Sequence, residues 1–182
     1  MPITKATASH IDIKQSQKRA AVEYRSLTDR LLQSPEFASL SVYRHHKMNR
    51  QQHSFNVSWY AFRLARLCRL DAAAVARSGL LHDLFYYNFR DGAYSKSEHI
   101  YAHPQQALAN ARQLIDLSPK EEDIILNHMW PMCPQHRRHY KETYLVSMVD
   151  KYCCILELCS VAINCSKQLG KRAVKLLLNV LS

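Results

Sequence analysis

The chain has 182 residues and carries 25 Lys and Arg against 15 Asp and Glu, a formal net charge of +10. This length suits one domain with a sizeable core, while three glycines, six prolines and the lack of strand-like alternation argue against a β-rich architecture and for an all-α fold. With no secretory leader and no membrane-length apolar run, a cytoplasmic protein without membrane association is expected, and its positive charge favours an anionic partner.

Taken in order, residues 1–18 are polar and expected to fray, after which Val22, Leu27, Leu31 and Leu32 form a helical stripe over 19–33. Ser34-Pro35-Glu36 has the form of a new helix start, with Ser as N-cap and Pro at the first helical position. Residues 43–53 are basic and rich in histidine and read as a loop that places His53 at or near the first turn of the next helix. In that helix Phe55, Trp59, Phe62 and Leu67 approximate one face. Asp71 suits the N-cap of a helix from Ala72 to about Tyr86. Residues 88–100, with Asp91-Gly92, read as an exposed loop, and His103-Pro104 as the opening of a further helix. Ser118-Pro119-Lys120-Glu121 is a capping-box pattern for a helix ending near His128. After a Pro-rich and His-rich loop, a long helix starts near Glu142, with Leu145, Met148, Val149, Tyr152, Ile155, Leu156 and Leu158 around a lone acid, Asp150. Residues 171–182 form an amphipathic helix suited to covering the core or to a dimer contact. The cysteines Cys68, Cys133, Cys153, Cys154, Cys159 and Cys165 lack CxxC spacing and read as reduced thiols, mostly in the core.

One stretch departs from simple amphipathic patterning. In Gly79-Leu80-Leu81-His82-Asp83-Leu84-Phe85-Tyr86-Tyr87 a polar pair interrupts an apolar run, and burying that pair without partners costs several kcal/mol. Either a metal ion or a buried His–Asp hydrogen bond linking two helices would compensate it.

Together, His53, the His82-Asp83 pair and Asp150 resemble the H…HD…D arrangement of the HD-domain metal-dependent phosphohydrolases. The likeness extends to His103, which heads His103-Pro104-Gln105-Gln106-Ala107-Leu108. It extends also to His128 in Ile124-Ile125-Leu126-Asn127-His128-Met129, and these two are similar to the additional histidines of dinuclear members. It covers about residues 46–157, and the segment from Tyr144 to Tyr152 with the His128-Met129-Trp130-Pro131 turn is similar to a bacterial subgroup of HD proteins. Two positions differ. Phe85 stands where a glycine often follows the pair, implying a more aromatic pocket wall, and Asn88-Phe89-Arg90-Asp91 carries no catalytic signature.

The resemblance implies an N-terminal helical extension over 1–40, a compact HD-domain helical bundle over 41–168, and a C-terminal amphipathic helix over 169–182 packed on it. It implies His53, His82, Asp83 and Asp150 as ligands of one ion, and Asp83, His103 and His128 as ligands of a second, with Asp83 bridging. Imidazole and carboxylate donors suit Mn, Fe, Co, Ni or Zn, so one or two divalent transition-metal ions are the expected cofactor. The implied function is hydrolysis of a phosphoester of a small phosphorylated metabolite or nucleotide by a metal-activated hydroxide, with Asp83, His103 and His128 in the catalytic machinery. Arg44, His46, Lys47, Arg137 and Lys141, with Arg50 and Arg138 beside them, are the expected substrate-binding cations, while His45, His99, His136 and His139 read as loop residues. The alternative is a catalytically silent, metal-containing module that binds a nucleotide or nucleic acid, although no base-reading motif accompanies the charge. Either monomer or homodimer is compatible with the sequence.

Overall fold

The computed structural model describes residues 13–45, 48–88, 92, 94–133 and 140–159, and the fold over them is all-α. The amphipathic segment within 169–182 and the loop residues His46, Lys47 and 134–139 lie outside the described residues.

Helix α1 (Ile13–Leu32) buries Ala20, Tyr24, Thr28 and Leu31, spaced as one helical face. The expected Val22 is exposed instead. Tyr24 takes its place because its ring packs edge-on against Trp59 and Phe62, at 5.1 and 5.3 Å, while its hydroxyl meets Ser58 Oγ at 2.8 Å. A short helix, α2 (Pro35–Ser39), follows with Ser34 as N-cap, as its sequence predicts, and continues into a 3-10 turn, Leu40–Val42. The expected loop over 43–53 contains a small antiparallel ribbon, β1 (Arg44–His45) with β2 (Met48–Asn49). Asn49 then caps α3 (Arg50–Leu67), its side-chain oxygen accepting from Gln52 N at 2.8 Å.

Helix α4 (Ala72–Leu81) lies at the centre, packed along α3 and also against α1 and α6. Asp71 caps it by accepting from Ala74 N at 3.0 Å. The helix stops at Leu81, short of the expected Tyr86, so His82 is its C-cap and Asp83 lies in the following turn. Leu80, Leu81 and Leu84 share a core with Leu31, Phe37, Leu40, Leu108, Ala111 and Ile125. On the other side, Val75 joins Val57, Ala61, Ile124, Val146 and Val149. The first two helices thus contribute to the same interior as the rest of the described chain.

Helix α5 (Lys96–Leu114) begins before the expected His103-Pro104 start. A capping box made by Ser95 and Glu98 sets the earlier origin, leaving Pro104 inside the helix. Helix α6 (Pro119–Asn127) has the predicted Ser118–Glu121 capping box. The last helix described, α7 (141–159), buries Val146, Val149, Asp150 and Cys153, whereas Met148, Tyr152, Ile155, Leu156 and Leu158, expected around Asp150, are exposed. Of the cysteines, Cys133 and Cys153 are buried, Cys154 is half-buried, and Cys68 and Cys159 are exposed. Cys165 lies outside the described residues. Among the described residues no helix is long and apolar enough to cross a membrane.

The α3–α4 contact depends on Gly79. A Cβ built there would sit 2.7 Å from the Ser58 backbone Cα, which no side-chain rearrangement can relieve. Gly79→Ala is therefore expected to lower stability by about 1–3 kcal/mol through forced separation of the helices. Urea unfolding followed by circular dichroism checks this, and an unchanged midpoint contradicts the packing.

Candidate metal centre

Six ionisable side chains from five helical elements meet in the interior. His53 lies in the first turn of α3, His82 and Asp83 at the end of α4, His103 within α5, His128 as the C-cap of α6, and Asp150 in α7. None is more than 6 % exposed. The structure thus brings together every ligand position implied by the sequence.

Three histidines are held in the same way. The Nδ1 of His82 faces Gly79 O at 2.8 Å, that of His103 faces His99 O at 2.7 Å, and that of His128 faces Ile125 O at 2.8 Å. A carbonyl oxygen can only accept, so each Nδ1 bears a proton and each ring turns its Nε2 inward. Two of these, on His103 and His128, stand 3.1 Å apart, and each lies 3.7 Å from Asp83 Oδ1. Facing lone pairs at that distance repel unless a cation lies between them. Burial lowers the pKa of His103 to about 4 and, with His82 and His103 adding to it, pushes that of His128 well below the ordinary value, so protons fill this role poorly.

The other oxygen of Asp83, Oδ2, faces the third Nε2, on His82, at 3.8 Å. That buried nitrogen has no hydrogen-bond partner among the described residues. It also lies 3.8 Å from Asp150 Oδ1, which His53 Nε2 meets at 3.0 Å. Donors at about 2.1 Å from a common ion stand roughly 3.0–3.4 Å apart in octahedral or tetrahedral geometry. The observed separations of 3.0–3.8 Å lie at or slightly above that range. Ligand atoms of His53, His82 and Asp83 form one such group and those of Asp83, His103 and His128 another.

The supporting residues were not legible as such in the sequence. Glu157, two turns beyond Asp150 on α7, holds His53 Nδ1 at 2.8 Å, so one helix supplies both a donor and the carboxylate that orients another donor. Burial opposes a charge on His53, but its hydrogen bonds to Asp150 and Glu157 outweigh that and raise its pKa to about 10. Lys151 donates to His128 O at 2.6 Å and Asp150 Oδ2 at 3.2 Å, leaving Oδ1 to the cluster. Burial disfavours the Asp150 charge, yet the His53 hydrogen bond and the neighbouring positive charges keep its carboxyl well below the ordinary range. Helical spacing from Asp150 was the available signal for Glu157, and adjacency for Lys151.

Arg50, expected among the loop cations, is 2 % exposed. Its guanidinium lies 3.4 Å above the Phe85 ring and donates to Phe85 O at 2.5 Å and Tyr87 O at 3.0 Å. It therefore clamps the turn carrying Asp83. Phe85 is buried and its ring lies 5.3 Å from that of His103, centroid to centroid. His99, expected in a loop, occupies the first turn of α5, where its ring stacks on His103 at 4.6 Å and its Nδ1 meets the Tyr87 hydroxyl at 2.8 Å. Among the expected substrate cations, Arg44 is exposed on β1, and Lys141 is exposed in the first turn of α7, about 13 Å along the helix axis from Asp150. His46, Lys47 and Arg137 lie outside the described residues. Comparison of the chain with family models, with curated proteins and with solved structures finds no match.

These partners set the pH dependence of metal-free protein. His53 is raised from 6.5 to about 10, so its contribution is complete below about pH 6.5 and is lost as pH rises towards 10. His103 and His128 are depressed, so theirs is present above about pH 6.5 and lost on acidification, towards about pH 4 for His103. Urea unfolding of chelator-treated protein should give its highest midpoint near neutrality and lower midpoints near pH 5 and pH 9; a flat profile contradicts these assignments.

Proposed function

We propose that the chain is a metal-dependent phosphohydrolase of the HD type, acting on a phosphoester of a small phosphorylated molecule or nucleotide. The observation that carries this reading is the split use of Asp83. Its two carboxylate oxygens face separate imidazole sets, His103 with His128 and His82, the arrangement of a bridging ligand between two ions. The fixed tautomers and the orphaned His82 Nε2 fit such ions better than they fit a hydrogen-bonded polar core.

Bound there, divalent transition-metal ions supply Lewis acidity towards phosphoryl oxygens and activate water near neutral pH. The chain's own residues do the rest. Asp83 would hold both ions through its two oxygens, and His103 and His128 would supply imidazole nitrogens to the second. Arg50 and the packed Phe85 keep the turn after α4 from shifting. Lys151 offsets the negative charge of Asp150. The net charge of +10 favours the approach of an anionic substrate.

Elemental mass spectrometry of purified protein, combined with assay on aryl phosphate monoesters and diesters, tests this reading. Wild type should carry about two ions per chain, Asp83→Ala fewer than one and His128→Ala about one, with hydrolysis reduced by about 100-fold or more in both variants. Glu157→Gln, which keeps side-chain size, should weaken metal binding by about 10–100-fold without loss of helicity. A folded wild type that takes up no metal after reconstitution contradicts the proposal.

A further inference from the structure

We infer that Cys154 supplies a thiolate to the ion held by His53, His82 and Asp150, giving this position a sulfur donor beside its imidazoles and carboxylates. The inference rests on the metal centre proposed above and names a donor outside the ligand set that the HD resemblance implies.

Asp150 and Cys154 are four residues apart on α7, so their side chains project from the same face one turn apart. Cys154 Sγ lies 3.7 Å from Asp150 Oδ1. That oxygen is the one His53 Nε2 meets at 3.0 Å and the one the unpartnered, fully buried His82 Nε2 faces at 3.8 Å. Single ligand atoms from Cys154, His53 and Asp150 lie within 4.8 Å of one another. A zinc-class ion bonds oxygen and nitrogen at about 2.0–2.1 Å and sulfur at about 2.3 Å, which places adjacent sulfur and oxygen donors roughly 3.1–3.6 Å apart. The Cys154–Asp150 separation is thus within a few tenths of an ångström of that spacing.

When the ion binds, the S–H bond breaks, its proton passes to solvent, and a sulfur–metal bond forms with no change of oxidation state. Cys153, the adjacent thiol, cannot substitute, because it is buried among Val57, Ala61 and Val149 in the α3–α4–α7 core. A thiolate draws the preference of this position towards Zn, Co or Fe and away from Mn.

The test is cobalt(II) reconstitution of the metal-free full-length protein, read by absorption spectroscopy. The expected result is a thiolate-to-cobalt charge-transfer band in the near ultraviolet together with visible ligand-field bands. Cys154→Ser and Cys154→Ala should lose the charge-transfer band and keep the visible bands, while Cys68→Ser, at an exposed position, should keep both. Zinc-over-manganese preference should fall by about tenfold or more in the Cys154 variants. Visible bands without a charge-transfer band in wild type would overturn the thiolate inference and leave the metal centre standing. So would a charge-transfer band that persists in both Cys154 variants. Failure of folded wild type to bind cobalt or any other transition metal would overturn the centre and the inference together.

Discussion

Asp83 presents two oxygens to two different sets of imidazole nitrogens inside a closed helical interior, and much of the surrounding structure keeps that arrangement in place. Six ionisable groups buried together carry a desolvation cost, which hydrogen bonds offset at His53 and Asp150. The unpartnered Nε2 of His82 and the facing nitrogens of His103 and His128 show where the compensation is incomplete. Under the proposed function, a dication at each position would replace the repulsion between facing nitrogens with coordination.

The backbone prepares these nitrogens. His82, His103 and His128 each turn Nδ1 back onto a carbonyl three or four residues earlier, and for His82 and His128 this occurs at a helix C-cap. Helix ends expose carbonyls that lack intrahelical partners, so a C-cap histidine satisfies one of them and has its ring oriented in the same step. His53 is the exception, held by the Glu157 carboxylate. Helix α7 therefore contributes Asp150, its neutralising neighbour Lys151 and the carboxylate behind His53, while packing on α3 and α6 through Val146, Val149 and Ile124. Thr143 extends this attachment by donating to Asp123, which also accepts from Asn127.

What could be read from the sequence follows from the range of the interactions involved. Ser34, Asp71 and the Ser118–Glu121 box act within one helical turn, so their roles were legible. The six clustered donors were legible because their residue types are costly to bury and their order resembles a known pattern. Tyr24 was missed because its burial depends on Ser58, Trp59 and Phe62 in another helix. Arg50 looked like a surface cation because the Phe85 ring and the carbonyls that enclose it come from more than thirty residues away. The α5 start was misplaced by a strong local signal, Pro104, when the Ser95–Glu98 box lay just upstream. On α7, apolar residues on both faces left no periodic cue to separate buried Val146 and Val149 from exposed Met148 and Ile155.

The most direct test of the shared-carboxylate account is anomalous X-ray diffraction from crystals grown with a transition metal. Two peaks about 3.5–4 Å apart are predicted, one near His53, His82 and Asp150, the other near His103 and His128, with Asp83 between them. A fully folded chain with no peak, or with one peak remote from Asp83, would contradict the account and leave the six buried groups as a purely hydrogen-bonded core.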